Sequence, residues 1–358
     1  MKKIYNRLFI RDKIKITDYC DKNILDKYSD LELAGRYSQN KNNFKIFKKL
    51  LKKNNENVNK ILMLLVLYLD STSSIEALKL LLGFGAEINF LDNNGLTPLL
   101  AYINNNRFQN IKIIKFFLDN GSNVNFRNNN YHALTMICSL NYTNTEIIEL
   151  LLKYGADVNM CGINDWPPLF FSVNLLNYNF VKLLIINGAN VNYLDNIKNS
   201  VLHLSCYNKN GQRNAIVELL IESGTDVNIK NNYDDTALMM IIKYPLNNTD
   251  FEIIKLLIRK GSNINYRDSE FMTLMMVCIM SRIWSEYDKY NIIELLLNSK
   301  TDVYIKNKKG ETILNIIEKT YKKYSEKSYK KYNIYKLIAN YKIINNDSFC
   351  EFDINFIY

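Results

Sequence analysis

Proline is scarce in this chain, with four residues among 358, and histidine is scarcer, with two. Neither His132 nor His203 has a Ser, Cys or carboxylate at a spacing that suggests an activated nucleophile. The six cysteines form no C-x-x-C pair, so the usual zinc and redox motifs are missing and a reducing compartment fits. No G-x-x-x-x-G-K-[ST] phosphate loop occurs. Long apolar runs are absent as well. The longest, Ile61–Leu69, has nine residues, too few to span a bilayer. The N-terminal MKKIYNRLFIRDK is basic but lacks the apolar centre of a signal peptide. These absences predict a cytoplasmic protein with no transmembrane segment, enzymatic activity, cofactor or metal.

The net charge of +10 invites a nucleic-acid reading, and its distribution argues against one. Residues 1–60 carry sixteen Lys and Arg against seven acids, and residues 300–345 carry twelve against four. The stretch between them, 61–299, carries eighteen against twenty-two. A nucleic-acid groove would cluster its cations along the working face, whereas here they lie at the ends, as solvated caps would place them. Asparagine, at about fifty residues, together with abundant Lys, Ile and Tyr, reads as the bias of an AT-rich genome.

One phrase dominates what is present. LLGFGAEIN at 81–89 returns as FLDNGSNVN, LLKYGADVN, LIINGANVN, LIESGTDVN and LIRKGSNIN. Its glycines, Gly85, Gly121, Gly155, Gly188, Gly224 and Gly261, are spaced 36, 34, 33, 36 and 37 residues apart. Periods of this size mean stacked supersecondary units. Apolar residues at −7, −4 and −3, such as Ile148, Leu151 and Leu152, form one stripe of an amphipathic helix. The glycine stands where that helix ends, at the left-handed position that glycine adopts cheaply. The Asn four residues later is expected to bond backbone within the excursion that follows.

A second signal opens the next helix: TPLL at 97–100, PPLF at 167–170, SVLH at 200–203 and TALM at 236–239. Thr97, Ser200 and Thr236 fit helix N-caps, and Pro98 and Pro168 fit the first helical position, where a missing N–H costs nothing. The unit is therefore helix, loop, helix, glycine stop, extended finger.

On these residues the chain resembles the ankyrin-repeat family, whose pattern is T-P-L-H-x-A in the first helix and L-L-x-x-G-A-D-V-N after the second. The resemblance implies an all-α ankyrin solenoid of about nine antiparallel helix pairs with short β-hairpin fingers. The expected organisation is an N-terminal extension at 1–26, a degenerate capping repeat at 27–58, the array at 59–311, a capping helix pair at 312–344 and a tail at 345–358. Array ends face water on one side, so polar, atypical terminal repeats are expected there. Near residue 300 the unit weakens, with Lys300 in the glycine slot and Tyr304 in the asparagine slot. In this family the slot of His203 serves to bond backbone between repeats. Cys138, Cys206 and Cys278 are placed six residues past the first-helix cap, in a small buried site where cysteine acts as a hydrophobe. The composition is similar to that of ankyrin proteins of large DNA viruses, of amoebal giant viruses and poxviruses, and of host-associated bacteria.

The resemblance also implies non-catalytic protein–protein interaction, as an adaptor or scaffold acting as a monomer, with its partner on the concave face. The candidate residues are those placed just before the caps (Leu96, Tyr131, Trp166 and Phe271) and those seven or eight beyond them (Leu140, Leu175, Tyr207 and Tyr244). Leu96, Tyr131 and Trp166 are expected to form one exposed stripe. Two alternatives are a ubiquitin-ligase substrate adaptor, although no leucine- and proline-patterned F-box-like segment follows residue 320, and nucleic-acid or anionic-surface binding through the basic ends.

Overall fold

The amphipathic stripes become short helices, each closed by a backbone motif that few residue types hold easily. The computed structural model describes residues 48, 51–52, 58–68, 75–105, 110–128, 130–140, 144–207, 212–245, 250–321 and 329–344. Among these, regular structure is α-helical, and Ile163–Asp165 form a tight turn with Asn164 and Asp165 at positive φ. The expected segments 1–26 and 345–358, and all but a few residues of 27–58, lie outside the described residues, as do Cys20 and Cys350.

The chain divides into two compact units at Asn128. The first contains α1 (Val58–Tyr68), α2 (Ile75–Gly83), α3 (Pro98–Asn104) and α4 (Ile111–Asp119). There α1 packs on α2 and α3, and α3 packs on α4. The second contains α5 (Ala133–Ser139), α6 (Glu146–Lys153), α7 (Pro168–Asn174), α8 (Tyr178–Ile186), α9 (Val201–Cys206) and α10 (Arg213–Glu222). It continues with α11 (Ala237–Lys243), α12 (Asp250–Arg259), α13 (Leu274–Met280), α14 (Glu286–Asn298), α15 (Ile313–Tyr321) and α16 (Tyr329–Ile344). Within this unit the first helices α5, α7, α9, α11, α13 and α15 form one row, each against the next. The second helices from α8 to α16 form a row behind it. The core lies between the rows, where Leu202, Val217, Leu238, Ile254, Leu274 and Ile293 are fully buried. Each such side chain contributes about 1.5–3 kcal/mol relative to an exposed one.

The six repeat glycines all have φ between +82° and +91°. Around Gly155, its N–H donates to Leu152 O at 2.9 Å and that of Ala156 to Leu151 O at 3.0 Å, the paired bonds that close a helix C-terminus. A Cβ at Gly155 would meet nothing within 4 Å, so the glycine is there for its backbone and not for space. Lys300 takes the same conformation at φ +65° and keeps the same two bonds, to Leu297 O and Leu296 O. Bonding geometry survives without glycine; only the conformational cost rises.

The asparagines reach further than the sequence suggests. Asn192 Nδ2 donates to Gly224 O at 3.2 Å, and its Oδ1 accepts from Asp226 N at 2.9 Å. Asn89, Asn159 and Asn228 repeat both bonds toward Gly121, Gly188 and Gly261. Each asparagine thus ties its own loop to the loop of the following repeat. Asn59, in the degenerate NENVN, makes one such bond from Glu87 N at 2.7 Å.

Where β-hairpin fingers are expected, β-pairing among the described residues amounts to two isolated antiparallel bridges, Leu194–Ser200 and Arg267–Thr273. Side chains hold the turns instead. Asp195 Oδ1 accepts from Ile197 N at 3.0 Å and Asn199 N at 2.8 Å, while Asp195 N donates to Asn199 O. Asp92, Asn231, Asp268 and Asn307 build the same turn. Gly162 occupies this slot in one repeat, where a Cβ would stand 3.1 Å from Asn130 O and 3.2 Å from Thr135.

The helix starts follow the sequence closely. Thr97 and Thr236 accept from Leu100 N and Met239 N, and Ser200 forms a capping box with His203. Pro98 and Pro168 open α3 and α7.

Candidate partner-binding face

The slot before each cap is more inward than the sequence implies. Leu96 and Trp166 are both 7% exposed, so neither belongs to an exposed stripe. The turn that ends in this slot folds back over the helix it precedes. The Trp166 ring lies 5.5 Å from that of Phe171 and 5.8 Å from that of Phe170, both on α7. Tyr131 is half-buried, 6.0 Å from Phe171, and burial raises its phenol pKa above the usual range. Phe170 meets Tyr193 edge-on at 5.9 Å. These rings form one packed cluster on either side of α7.

Further along, the same slot is polar. Asn199 is buried and accepts from Asn231 Nδ2 at 3.0 Å, linking two turns. Asp235 is 4% exposed, and Lys243 Nζ lies 2.6 Å from its carboxylate and 3.1 Å from that of Asp268. Burial raises the Asp235 carboxyl pKa, against the downward pull of Lys243. For Lys243, burial works against the charge, but bonds to both carboxylates outweigh it and leave the pKa raised. Glu311 pairs with Lys319 in the same eight-residue register, and that bond is the main reason its pKa is lowered.

Phe271 needs a register correction. The cap of α13 is Thr273, which accepts from Met276 N, so Met272 holds the slot before the cap. Phe271 sits one residue earlier, in the turn, at φ +59° and 47% exposed. The misplacement has one source: Cys278 lies five residues past its cap, whereas Cys138 and Cys206 lie six past theirs. All three cysteines are free and buried, and burial pushes each thiol up to about 12. At the far ends of the first helices, Leu140, Leu175 and Tyr207 are half-buried, and Tyr244 is exposed. Met280, at the end of α13 beside α11, is 52% exposed.

The histidines join neighbouring repeats. His203 Nδ1 accepts from Ser200 N at 3.2 Å, and Nε2 lies 2.9 Å from Asp235 O, 32 residues on. His132 Nε2 lies 2.7 Å from Met160 O, 28 residues on. Burial lowers the His203 pKa, favouring the neutral ring that this double role requires. A profile described as ankyrin repeats in three copies matches residues 62–161, 143–231, 169–268 and 202–307, more than half of the chain. The chain belongs to the ankyrin-repeat family.

Among relatives, an ankyrin repeat protein of Acanthamoeba polyphaga mimivirus is 27% identical over 69% of this chain and 34% of its own length. A fowlpox virus ankyrin repeat protein is 28% identical over 56% of this chain and 41% of its own. The mouse B-cell lymphoma 3 protein homolog is 30% identical over 47% of this chain and 37% of its own. The chain thus spans about a third to two fifths of these relatives. The resemblance to viral ankyrin proteins holds, and ankyrin repeats of this kind point to a protein–protein interaction module. No described helix is long and apolar enough to cross a membrane, and the described residues contain no His, Cys, Asp and Glu group suited to a metal.

Three features of the ankyrin array escaped the sequence reading. Arg213 and Asp250 form an ion pair with both side chains 1% exposed; each stands eleven residues before its repeat glycine. Trp284 Nε1 donates to Ile242 O at 3.0 Å, pinning the α13–α14 loop against the end of α11. The Asp235–Lys243 pair does leave a trace in the sequence, because an acid, a threonine and a lysine recur in register at Glu311, Thr312 and Lys319.

Proposed function

We propose that this protein is a non-catalytic adaptor or scaffold whose ankyrin array holds a partner protein against the face made by its fingers and first helices. The finer picture, of about nine repeats with short hairpin fingers and a concave binding face in a cytoplasmic monomer, belongs to the same proposal. One observation carries it. At the ends of the adjacent helices α11 and α13, Tyr244 is 40% exposed and Met280 52%, and Ile283 on the loop pinned by Trp284 is 64% exposed. Large apolar side chains held outward on ordered backbone suit a binding surface, and stacking of the repeats does not need them there. Leu140, Leu175 and Tyr207 extend this face, with Tyr131 at its edge. Trp166 supports it from within, and Leu96 is buried in the first unit.

The test is capture of partners from eukaryotic cells expressing the tagged chain. Tagged wild-type chain is compared with a Tyr244→Ala, Met280→Ala, Ile283→Ala triple variant of unchanged melting temperature. A specific protein retained by the wild type and lost by the variant supports the reading. A partner retained equally by both would place the binding surface elsewhere.

A further inference from the structure

We propose that the last three described fingers receive an acidic, extended segment of the partner protein, with the Phe271 ring as apolar anchor and Lys230, Arg267 and Lys306 as a row of counter-charges. This rests on the protein-binding reading above and specifies the partner's chemistry.

Register produces the row. The position just before each turn-closing residue holds Leu91, Arg127, Cys161 and Leu194 in the earlier fingers. In the last three it holds Lys230, Arg267 and Lys306, all exposed. Consecutive fingers are tied by Asn228 to Gly261 O, by Asn265 to Asp302 N, and by Lys308 N to Glu270 O at 3.1 Å. The cations therefore stand side by side.

Aromatic rings lie against Lys230 and Arg267 of the row and against Lys308 beside it, contacts that leave a cation its charge. Lys230 Nζ lies 4.1 Å from the Tyr266 ring centroid, Arg267 Cζ 5.2 Å from that of Phe271, and Lys308 Nζ 5.7 Å from the same ring. The nearby carboxylates are already engaged: Asp234 with Lys230 at 3.5 Å and Glu270 with Lys308 at 3.4 Å. Arg267, Lys306 and Lys309 have no ion-pair partner among the described residues.

Phe271 occupies the turn position that Gly95 and Gly310 hold in two other turns, and Lys198 and Asp234, also at φ +59°, in two more. The positive φ therefore belongs to the turn. What sets this finger apart is a large apolar ring in that position, with half its surface in water.

Neighbouring packed repeats lie roughly 10 Å apart, and an extended segment in the polyproline-II conformation rises about 3.1 Å per residue with three residues per turn, so every third side chain faces the same way. Acids about every third residue would therefore meet the row in register.

The experiment selects a displayed random 12-residue peptide library on the full-length chain and on an Arg267→Glu, Lys306→Glu variant. Wild type should enrich peptides with Asp or Glu at about every third position around an apolar residue. The charge-reversed variant should lose that enrichment. Phe271→Gly, which removes the ring and relieves the backbone, should weaken the best selected peptide by about tenfold or more in fluorescence anisotropy. A fluorescein-labelled 15-nucleotide oligouridine should bind more weakly than that peptide. No acidic enrichment, enrichment indifferent to charge reversal, or tighter oligouridine binding would each overturn the inference. A captured protein that ignores Arg267→Glu and Lys306→Glu but needs Tyr244, Met280 and Ile283 would overturn it while leaving the protein-binding reading intact.

Discussion

Between residues 130 and 186 the slot before the first helix carries Tyr131 and Trp166, and rings on α7 cover them. Between 212 and 321 the same slot carries Asp235, Met272 and Glu311, and two of the three are acids paired with a lysine eight residues on. The backbone devices are shared: glycine helix stops and Asn bonds to the next loop occur in both regions. The stacking scheme is therefore indifferent to what fills this slot, provided that the filling is complete. A ring does it by packing, and a carboxylate by finding a cation. Exposed large apolar side chains then concentrate in the second region, at Tyr233, Tyr244, Phe271, Met280, Ile283, Tyr287 and Tyr304.

The sharpest way to break the comparison is Arg213→Ala, which leaves the Asp250 carboxylate buried and alone. The expected loss is about 3–5 kcal/mol in denaturant melts. Arg213→Met with Asp250→Leu should recover most of it, and failure to recover would mean the charges do more than fill space. In the aromatic region, Trp166→Ala should cost about 3 kcal/mol, as for other large buried rings. A thermal melt indistinguishable from wild type would restore Trp166 to the exposed stripe that the sequence suggests.

Smaller effects probe the devices common to both regions. Asn192→Ala removes two bonds to the next loop and should cost about 1–2 kcal/mol, read by urea melts or by faster hydrogen exchange at Asp226. Gly155→Val should cost more than about 1 kcal/mol, whereas Lys300→Gly should stabilise by about 0.5–1 kcal/mol, because one forces and the other relieves a positive φ. Opposite shifts in melting temperature are the expected sign. His203 supplies a pH dependence. Its folded pKa lies below the usual value of about 6.5, so the unfolded chain binds the proton more readily. The stability contributed by the neutral ring is present above that value and is lost as pH falls toward the folded pKa. The stability difference between wild type and His203→Gln should therefore shrink below pH 6.5, and a constant difference would refute the linkage.

What was legible in the sequence follows from how narrowly each position is constrained. A backbone that requires positive φ writes itself as glycine, so Gly85 to Gly261 marked the helix stops directly. Thr97, Thr236 and Pro98 were equally plain. The slot before the cap was not, because Trp166 reads the same whether it faces water or Phe171. Only the turn geometry decides. Phe271 misled in another way, because counting six residues back from Cys278 puts the cap at Met272, one residue before Thr273. Arg213 and Asp250 lie in different repeats, and nothing local links them.

The aromatics before the caps support the array, and the exposed side chains between Tyr233 and Tyr304 are the ones we propose to bind the partner. The most direct measurement is the affinity of a purified captured partner for the Tyr244→Ala, Met280→Ala, Ile283→Ala variant, with melting temperature checked in parallel. The expected result is at least about tenfold weaker binding at an unchanged melting temperature. Wild-type affinity in that variant would contradict the claim.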